Sequence, residues 1–509
     1  MKSTTTIGIF LLISTFTLSA QNTLHLHLDE AETKINKEIY GHFAEHLGRC
    51  IYGGIFVGED SEIPNIRGYR SDVIEALQEM EIPLLRWPGG CFADTYHWKD
   101  GIGPRETRPS IVNTHWGGVT EDNSFGTHEF LEFCELIGAM PYISMNLGSG
   151  TVQEAAEWVE YVTSSSESPM TDLRKQNGRE DPWNVKYWGI GNENWGCGGH
   201  MTPEYYTDLY LRFATYCGGA KFKIAGGPSV DDYNWTDVLM KKTKRHQWLV
   251  NGISLHNYSF AYSWGNKGEA TGFGEADYFA TMKDVQRMKT LLTRHIAIMD
   301  QYDPSNRVGL MVDEWGNWWN VEKGTNPGFL YQQNTMRDAV TASINLNDFN
   351  NYAHRVKMAN IAQMVNVLQA VILTKEEELV KTPTFYIFKM YTVHHDATLI
   401  PSNLKTEDYV FNGEKVPAIS SSASIKDGDV NITLSNAKAA EDVEIEITLT
   451  GQDFKKAEGQ IITSKNIDDY NDFGRAEKVS LKDFDVPDPK KGKFKLLIPA
   501  HSVVLVNLN

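Results

Sequence analysis

Val185-Lys-Tyr-Trp-Gly-Ile-Gly-Asn-Glu193 and Arg307-Val-Gly-Leu-Met-Val-Asp-Glu314 are short apolar runs, and each ends in a glutamate. Runs of this length, without polar alternation, read as strands buried on both faces of a parallel sheet. Two carboxylates at the C-terminal ends of two such strands can face each other across a sugar, one donating a proton and the other attacking the anomeric carbon.

Six further strand candidates surround these two: 38–44, 82–88, 140–146, 223–227, 253–258 and 355–363. Amphipathic helical stretches lie between them, at 71–81, 126–137, 152–163, 203–217, 277–302 and 330–349. Strands alternating with helices imply parallel pairing through right-handed crossovers. Eight such units predict an α/β fold, a (β/α)8 TIM barrel. A doubly wound open sheet is the alternative, but no glycine-rich dinucleotide fingerprint follows a strand. Polar residues collect where the strands end, at Glu45-His46, Arg86, Asn146, Asn192-Glu193, His256-Asn257-Tyr258, Asp313-Glu314 and Gln363. In such a barrel, that is the catalytic rim.

Past about residue 396 the pattern changes to period two, as in Val430-Asn-Ile-Thr-Leu434 and Val443-Glu-Ile-Glu-Ile-Thr-Leu449, with Asp427-Gly428 as a hairpin signal. An all-β sandwich of jelly-roll type is expected over 397–509, after a barrel spanning 37–396. Leu24-His-Leu-His-Leu28 alternates likewise, so 21–36 is expected to add a strand to that sandwich. Residues 1–20 read as a signal peptide: Lys2, then an apolar stretch from Ile7 to Leu18, then Ser19-Ala20. This predicts a secreted or periplasmic enzyme.

The 509 residues carry a formal charge of -18, which argues against nucleic acid or an anionic membrane as partner. No stretch after the leader has the length of a membrane span, so no membrane insertion is expected. Five cysteines are too few for a disulfide scaffold. Cys91 and Cys197 fall in loops that should open on the same rim, and whether they pair is left open. His42 and His46 lie four apart, but on a strand and loop rather than on a His-Glu-x-x-His helix, so no metal and no cofactor are expected.

Taken alone, Gly-Asn-Glu is an ordinary turn and Asp-Glu-Trp an ordinary strand end. In combination, Ile39-Tyr-Gly-His-Phe-Ala-Glu-His-Leu-Gly-Arg49, Arg86-Trp-Pro-Gly-Gly90, Gly191-Asn-Glu-Asn-Trp-Gly-Cys-Gly-Gly199, Asp313-Glu-Trp315 and Ala359-Asn-Ile-Ala-Gln-Met-Val-Asn-Val367 resemble glycoside hydrolase family 51, the α-L-arabinofuranosidases. The resemblance runs from about residue 37 to Pro499-Ala-His-Ser-Val-Val504. It implies a retaining, exo-acting hydrolase of arabinose-containing polysaccharides or oligosaccharides, assembled as a homo-oligomer, often a hexamer. It also implies Glu193 as acid/base and Glu314 as nucleophile. By the same likeness Glu45, Asn192 and Gln363 bind sugar hydroxyls, and Trp98 bounds the pocket. Cys91 stands where some members carry a sugar-contacting Asn. Arg86 is a plausible countercharge for Glu314, Tyr258 a hydrogen-bond donor to it, and His256 either an orienting or a merely structural histidine. The rivals are a retaining endo-glucanase or β-xylosidase on the same fold, and a non-catalytic carbohydrate-binding protein.

Overall fold

In the computed structural model, which describes residues 22–509, eight parallel strands close into a barrel. In chain order they are Gly41–Phe43, Leu84–Trp87, Met140–Met145, Tyr187–Ile190, Phe222–Ala225, Gly252–Ser259, Gly309–Asn317 and Val356–Ala362. Each hydrogen-bonds to its sequence neighbours, and the eighth returns to the first through Asn360–Gly41, Ile361–His42 and Ala362–Phe43. The first strand is shorter than its sequence suggests, because Lys37–Tyr40 winds into a 3-10 turn before the chain extends. The seventh is longer and runs past Glu314 to Asn317. The signal-peptide reading falls on residues outside the described ones.

The barrel interior is plugged at its lower end by Leu84, Tyr142, Tyr187, Ile224, Met311 and Met358. Side chains from six of the eight strands fill the axis there, which leaves the upper rim for a polar cavity. The C-terminal β domain is built on two large sheets, with a short hairpin, Asp408–Phe411 and Glu414–Pro417, beside them. One has six strands, among them Ile419–Lys426, Asp429–Asn436 and Ser502–Leu508; the other has four. Asn22–His27 lies inside the four-stranded sheet, antiparallel to Ser402–Lys405 and parallel to Val443–Thr450.

The helix Met336–Asn351 joins the two parts and is buried along nearly its whole length. A helix buried all round normally carries apolar side chains, yet this one contains Ser343, Asn347 and Asn350. These polar groups are matched across the interface. Asn347 Oδ1 accepts from the hydroxyls of Ser422 (2.8 Å), Thr433 (2.8 Å) and Tyr391 (2.9 Å), while Asn350 Nδ2 donates to Ser422 Oγ (3.1 Å). A satisfied polar network fixes one docking angle, where a greasy interface would tolerate several.

The same helix begins with a capping box that reaches the catalytic rim. Asp338 Oδ2 accepts from the Thr335 backbone N–H at 2.7 Å, and its Oδ1 accepts from Asn317 Nδ2 (2.7 Å) and Trp319 Nε1 (2.9 Å). Asn317 ends the strand that carries Glu314, so this buried carboxylate pins that strand end to the helix. Replacing Asp338 with alanine strands these donors in the interior. Chemical denaturation of Asp338→Ala should therefore show a loss of about 3 kcal/mol or more; an effect below about 0.5 kcal/mol, the range of surface substitutions, would contradict the pinning.

Candidate active site

The rim cavity has a volume of about 410 Å³ and is lined by Glu45, Cys91, Glu193, His256, Tyr258, Glu314 and Gln363, among others. The ends of six of the eight barrel strands contribute to this set, so its assembly depends on barrel closure.

Arg86 lies beneath the cavity floor, buried. Its Nη1 donates to Glu314 Oε1 at 2.7 Å, its Nη2 to Asn192 Oδ1 at 2.6 Å and its Nε to Ser144 Oγ at 3.2 Å. Burial acts against the guanidinium charge, but Glu314 and Asp313 outweigh it and hold the group firmly protonated. On the cavity side, Tyr258 donates its hydroxyl to Glu314 Oε2 at 2.9 Å. The backbone after Arg86 must pass very close to these carboxylates. A Cβ on Gly90 would stand 2.8 Å from Glu314 Oε1, and one on Gly89 2.7 Å from Glu45 Cγ, so the Gly-Gly pair is a steric requirement.

Glu193 has φ of 42°, in the left-handed region. A glutamate is strained there and stays only if its surroundings hold it. Asp94 supplies much of that hold: its Oδ2 accepts from the Asn192 N–H at 3.0 Å, and its Oδ1 accepts from the N–H groups of Leu147 (2.8 Å) and Gly148 (2.7 Å). Burial pushes the Asp94 carboxyl up to about 7 despite these donors. A Cys91–Cys197 disulfide ties the same two loops together, with Cys197 Sγ 3.6 Å from Glu193 Oε2.

His256 links the two glutamates. Its Nδ1 is 2.9 Å from Glu193 Oε1 and 3.4 Å from Glu314 Oε2, and its Nε2 lies 3.3 Å from Asp313 Oδ1. Ligand-type atoms of Glu193, His256 and Glu314 all lie within 4.8 Å of one another. With Cys91 and Cys197, Glu193 forms a second such triad, but its sulfurs are joined to each other.

Glu45 Oε1 accepts from the N–H groups of Gly90 (3.0 Å) and Phe92 (3.1 Å) and from Trp116 Nε1 (2.9 Å), and Oε2 accepts from Gln363 Nε2 (2.8 Å). Burial, with the Glu314 charge adding to it, pushes this carboxyl up to about 7. Asn192 keeps its buried Nδ2 without a partner among the described residues, so a donor is free beside Glu314.

One expectation fails. Trp98 does not bound the cavity: it is buried, stacks parallel on Trp158 at 6.1 Å and donates its indole N–H to the Glu154 carbonyl. The short 3-10 segment Trp98–Gly101 turns it into the layer between barrel and helices. Trp116, Trp195, Trp264 and Trp318 line the cavity instead. These tryptophans, together with Asp94 and the Asp313–His256 contact, went unrecognised in the sequence. Their loops carry no strand or helix periodicity, so no local signal marked them.

Comparison with known proteins agrees with this geometry. A family model described as alpha-L-arabinofuranosidase 1 domain matches residues 76–216, and one described as alpha-L-arabinofuranosidase C-terminal domain matches residues 313–502. A Bacteroides ovatus protein named intracellular exo-alpha-L-arabinofuranosidase is 52% identical over 516 residues, covering 100% of both chains. The GH51 arabinofuranosidase from Xanthomonas axonopodis pv. citri superimposes with a TM-score of 0.94 at 44% identity, over 96% of this chain and 100% of that one. The chain belongs to glycoside hydrolase family 51, the α-L-arabinofuranosidases. The thermostable family 51 enzyme from Thermotoga petrophila RKU-1 is more distant, at 30% identity and a TM-score of 0.84, over 96% of this chain and 100% of that one.

The Bacteroides relative also overturns the expected location. Its name places that protein inside the cell, against the secreted or periplasmic enzyme read from the first twenty residues. A short apolar run after one lysine discriminates poorly, and Leu18 is not the small residue that cleavage favours at that position. Among the described residues, no helix is long and apolar enough to cross a membrane.

The His256 contacts have a titration consequence. Burial alone would discharge the ring, but the negative Glu314 and Asp313, with the hydrogen bond to Glu193, prevail and raise it from 6.5 to about 10. The stability drawn from those ion pairs is therefore complete below about pH 6.5 and is lost as the pH rises through about 10. Nitrogen-15 NMR should find both ring nitrogens protonated at pH 8, and Asp313→Asn should bring the transition down. A neutral ring at pH 7 in the unaltered protein would refute this.

Proposed function

We propose that the chain is a retaining, exo-acting α-L-arabinofuranosidase that releases terminal non-reducing arabinofuranosyl residues from arabinose-containing polysaccharides or oligosaccharides. Glu314 is the nucleophile and Glu193 the acid/base. One observation carries the reading: carboxylate atoms of these two residues approach within 4.8 Å. Retention calls for carboxyl groups about 5–5.5 Å apart, whereas an inverting pair stands about 6.5–9.5 Å apart to admit a water molecule.

In the first step a Glu314 oxygen attacks the anomeric carbon while Glu193 gives its proton to the departing glycosidic oxygen. This leaves an arabinofuranosyl ester on Glu314. Glu193, now ionised, takes a proton from water as that water attacks the same carbon, and arabinose leaves with its original configuration. Arg86 and Tyr258 fix the two Glu314 oxygens and offset their charge through both steps. His256 orients Glu193 toward the leaving oxygen. Asn192, through its free Nδ2, and the paired Glu45 and Gln363 hold sugar hydroxyls, with contacts that strengthen as charge develops in the transition state. The disulfide at Cys91 presents sulfur and backbone, rather than an amide side chain, to the sugar. By family likeness the enzyme assembles as a homo-oligomer, with 37–396 as catalytic barrel, 397–509 as β-sandwich and 21–36 as its added strand.

The cavity is a pocket of about 410 Å³ with four tryptophans in its lining, which favours removal of a terminal sugar over an endo-glucanase cleft. A panel of nitrophenyl α-L-arabinofuranoside, β-D-xyloside and β-cellobioside should therefore show turnover of the first far above the others. Preferred cleavage of the cellobioside would reject the assignment.

The two roles separate kinetically. Glu314→Ala should abolish turnover of every substrate. Glu193→Ala should still glycosylate from substrates with good leaving groups, and added azide should restore turnover by capturing the ester. Either variant matching the wild type would remove that residue from its role.

A further inference from the structure

Away from the rim, a cleft of about 900 Å³ runs between barrel and β domain. One wall comes from the helices Arg287–Tyr302 and Met336–Asn351, the other from Asn22–His27 and the neighbouring edge strand Ser402–Lys405. No step of the proposed mechanism uses it.

Two buried polar groups in its lining are left over. Asp348 is 7% exposed, and among the described residues its carboxylate accepts no hydrogen bond; Lys289, also in the lining, is the one charge felt there. Ser421 is 5% exposed, and its hydroxyl has no partner among the described residues. Elsewhere on the same helix the polar side chains Asn347 and Asn350 are fully matched. A buried carboxylate and a buried hydroxyl without partners cost stability unless something supplies the missing bonds.

The lining narrows the chemistry of that supply. The lining carries both signs, Asp348 against Lys289 and Lys405, so neither an anion nor a cation meets a uniform field. A neutral molecule rich in hydroxyls needs no such field and can donate to the carboxylate while accepting from Ser421. Burial pushes the Asp348 carboxyl up to about 7 against the pull of Lys289, so near neutrality it can also donate. Tyr352, whose hydroxyl is already engaged with Thr293, adds an aromatic ring to the lining beside the apolar Leu399 and Pro401. That mixture of aromatic surface and scattered polar groups, with room for more than one ring, suits a saccharide.

We propose that this cleft binds a segment of neutral oligosaccharide, separately from the pocket that breaks the bond. The ligand class rests on reading the chain as a hydrolase of arabinose-containing polymers. Such a site would hold a polymer by its length while the rim pocket works on terminal sugars, raising the effective concentration of chain ends.

The test uses the full-length chain as Glu314→Ala, so that a linear arabinohexaose survives titration calorimetry. Two classes of site are expected. Asp348→Leu, or Gln286→Trp, which adds bulk at the cleft wall, should abolish one class and leave the other. In the otherwise unaltered enzyme the same substitutions should leave nitrophenyl arabinofuranoside turnover within about twofold and raise KM for arabinan about fivefold, the worth of one or two hydrogen bonds. Gln286→Trp guards against a misfolded Asp348→Leu. A single class of site in Glu314→Ala overturns the proposal, as does a second class that neither substitution touches. Loss of self-association in Gln286→Trp with arabinan KM unchanged would assign the cleft to a second copy of the chain, and equally overturn it. Failure to cleave the nitrophenyl substrate would instead strike the catalytic reading, which the calorimetry does not depend on.

Discussion

A single buried guanidinium organises the rim. Arg86, on the second barrel strand, packs over the Phe43 ring from the first at 4.5 Å and touches Ser144 from the third, Asn192 after the fourth and Glu314 on the seventh. An unpaired charge in that interior would be costly, so the acids around it are the condition for its burial and it is the condition for theirs. Asp313, next to the nucleophile, belongs to the same set: burial opposes its ionisation, but Arg86 and His256 hold its carboxyl below the usual range. Removing any member leaves the others wrongly charged.

The carboxyls around this centre are sorted by their partners. Glu314 receives Arg86 and Tyr258. Among the described residues, Glu193, with 18% of its side chain exposed against 7% for Glu314, is met only by the His256 ring and a sulfur neighbour, which leaves it open to substrate and water. Glu45 accepts four donors yet sits near 7, because burial and Glu314 both disfavour its charge. Environment, rather than residue type, gives the three glutamates of one cavity different partners.

Rigidity around the site comes from outside it. The capping box at Asp338 anchors the strand of Glu314, Asp94 and the Cys91–Cys197 bridge anchor the loop of Glu193, and the buried helix Met336–Asn351 locks the barrel to the β domain. Asp348, facing the interdomain cleft, is one of a few polar groups of that helix without a hydrogen-bond partner among the described residues, with Asn345 Oδ1 and part of the Arg337 guanidinium.

Much of this was legible in the chain. Buried parallel strands must be continuously apolar, so eight such runs separated by amphipathic stretches specified a barrel, and the residues ending each run specified its rim. The five motifs marked Glu193, Glu314, Glu45, Asn192 and Gln363 as site residues, all of which the folded chain brings to one rim. Three-dimensional closure decided what lies between strands. It turned Trp98 inward and brought Trp116, Trp195, Trp264 and Trp318 to the cavity from loops with no periodic signature. It gave His256 three acidic neighbours and Asp94 its grip on Asn192. Periodicity reports which face of an element is buried; which residues meet across the axis depends on loops and on closure, and neither repeats along the sequence.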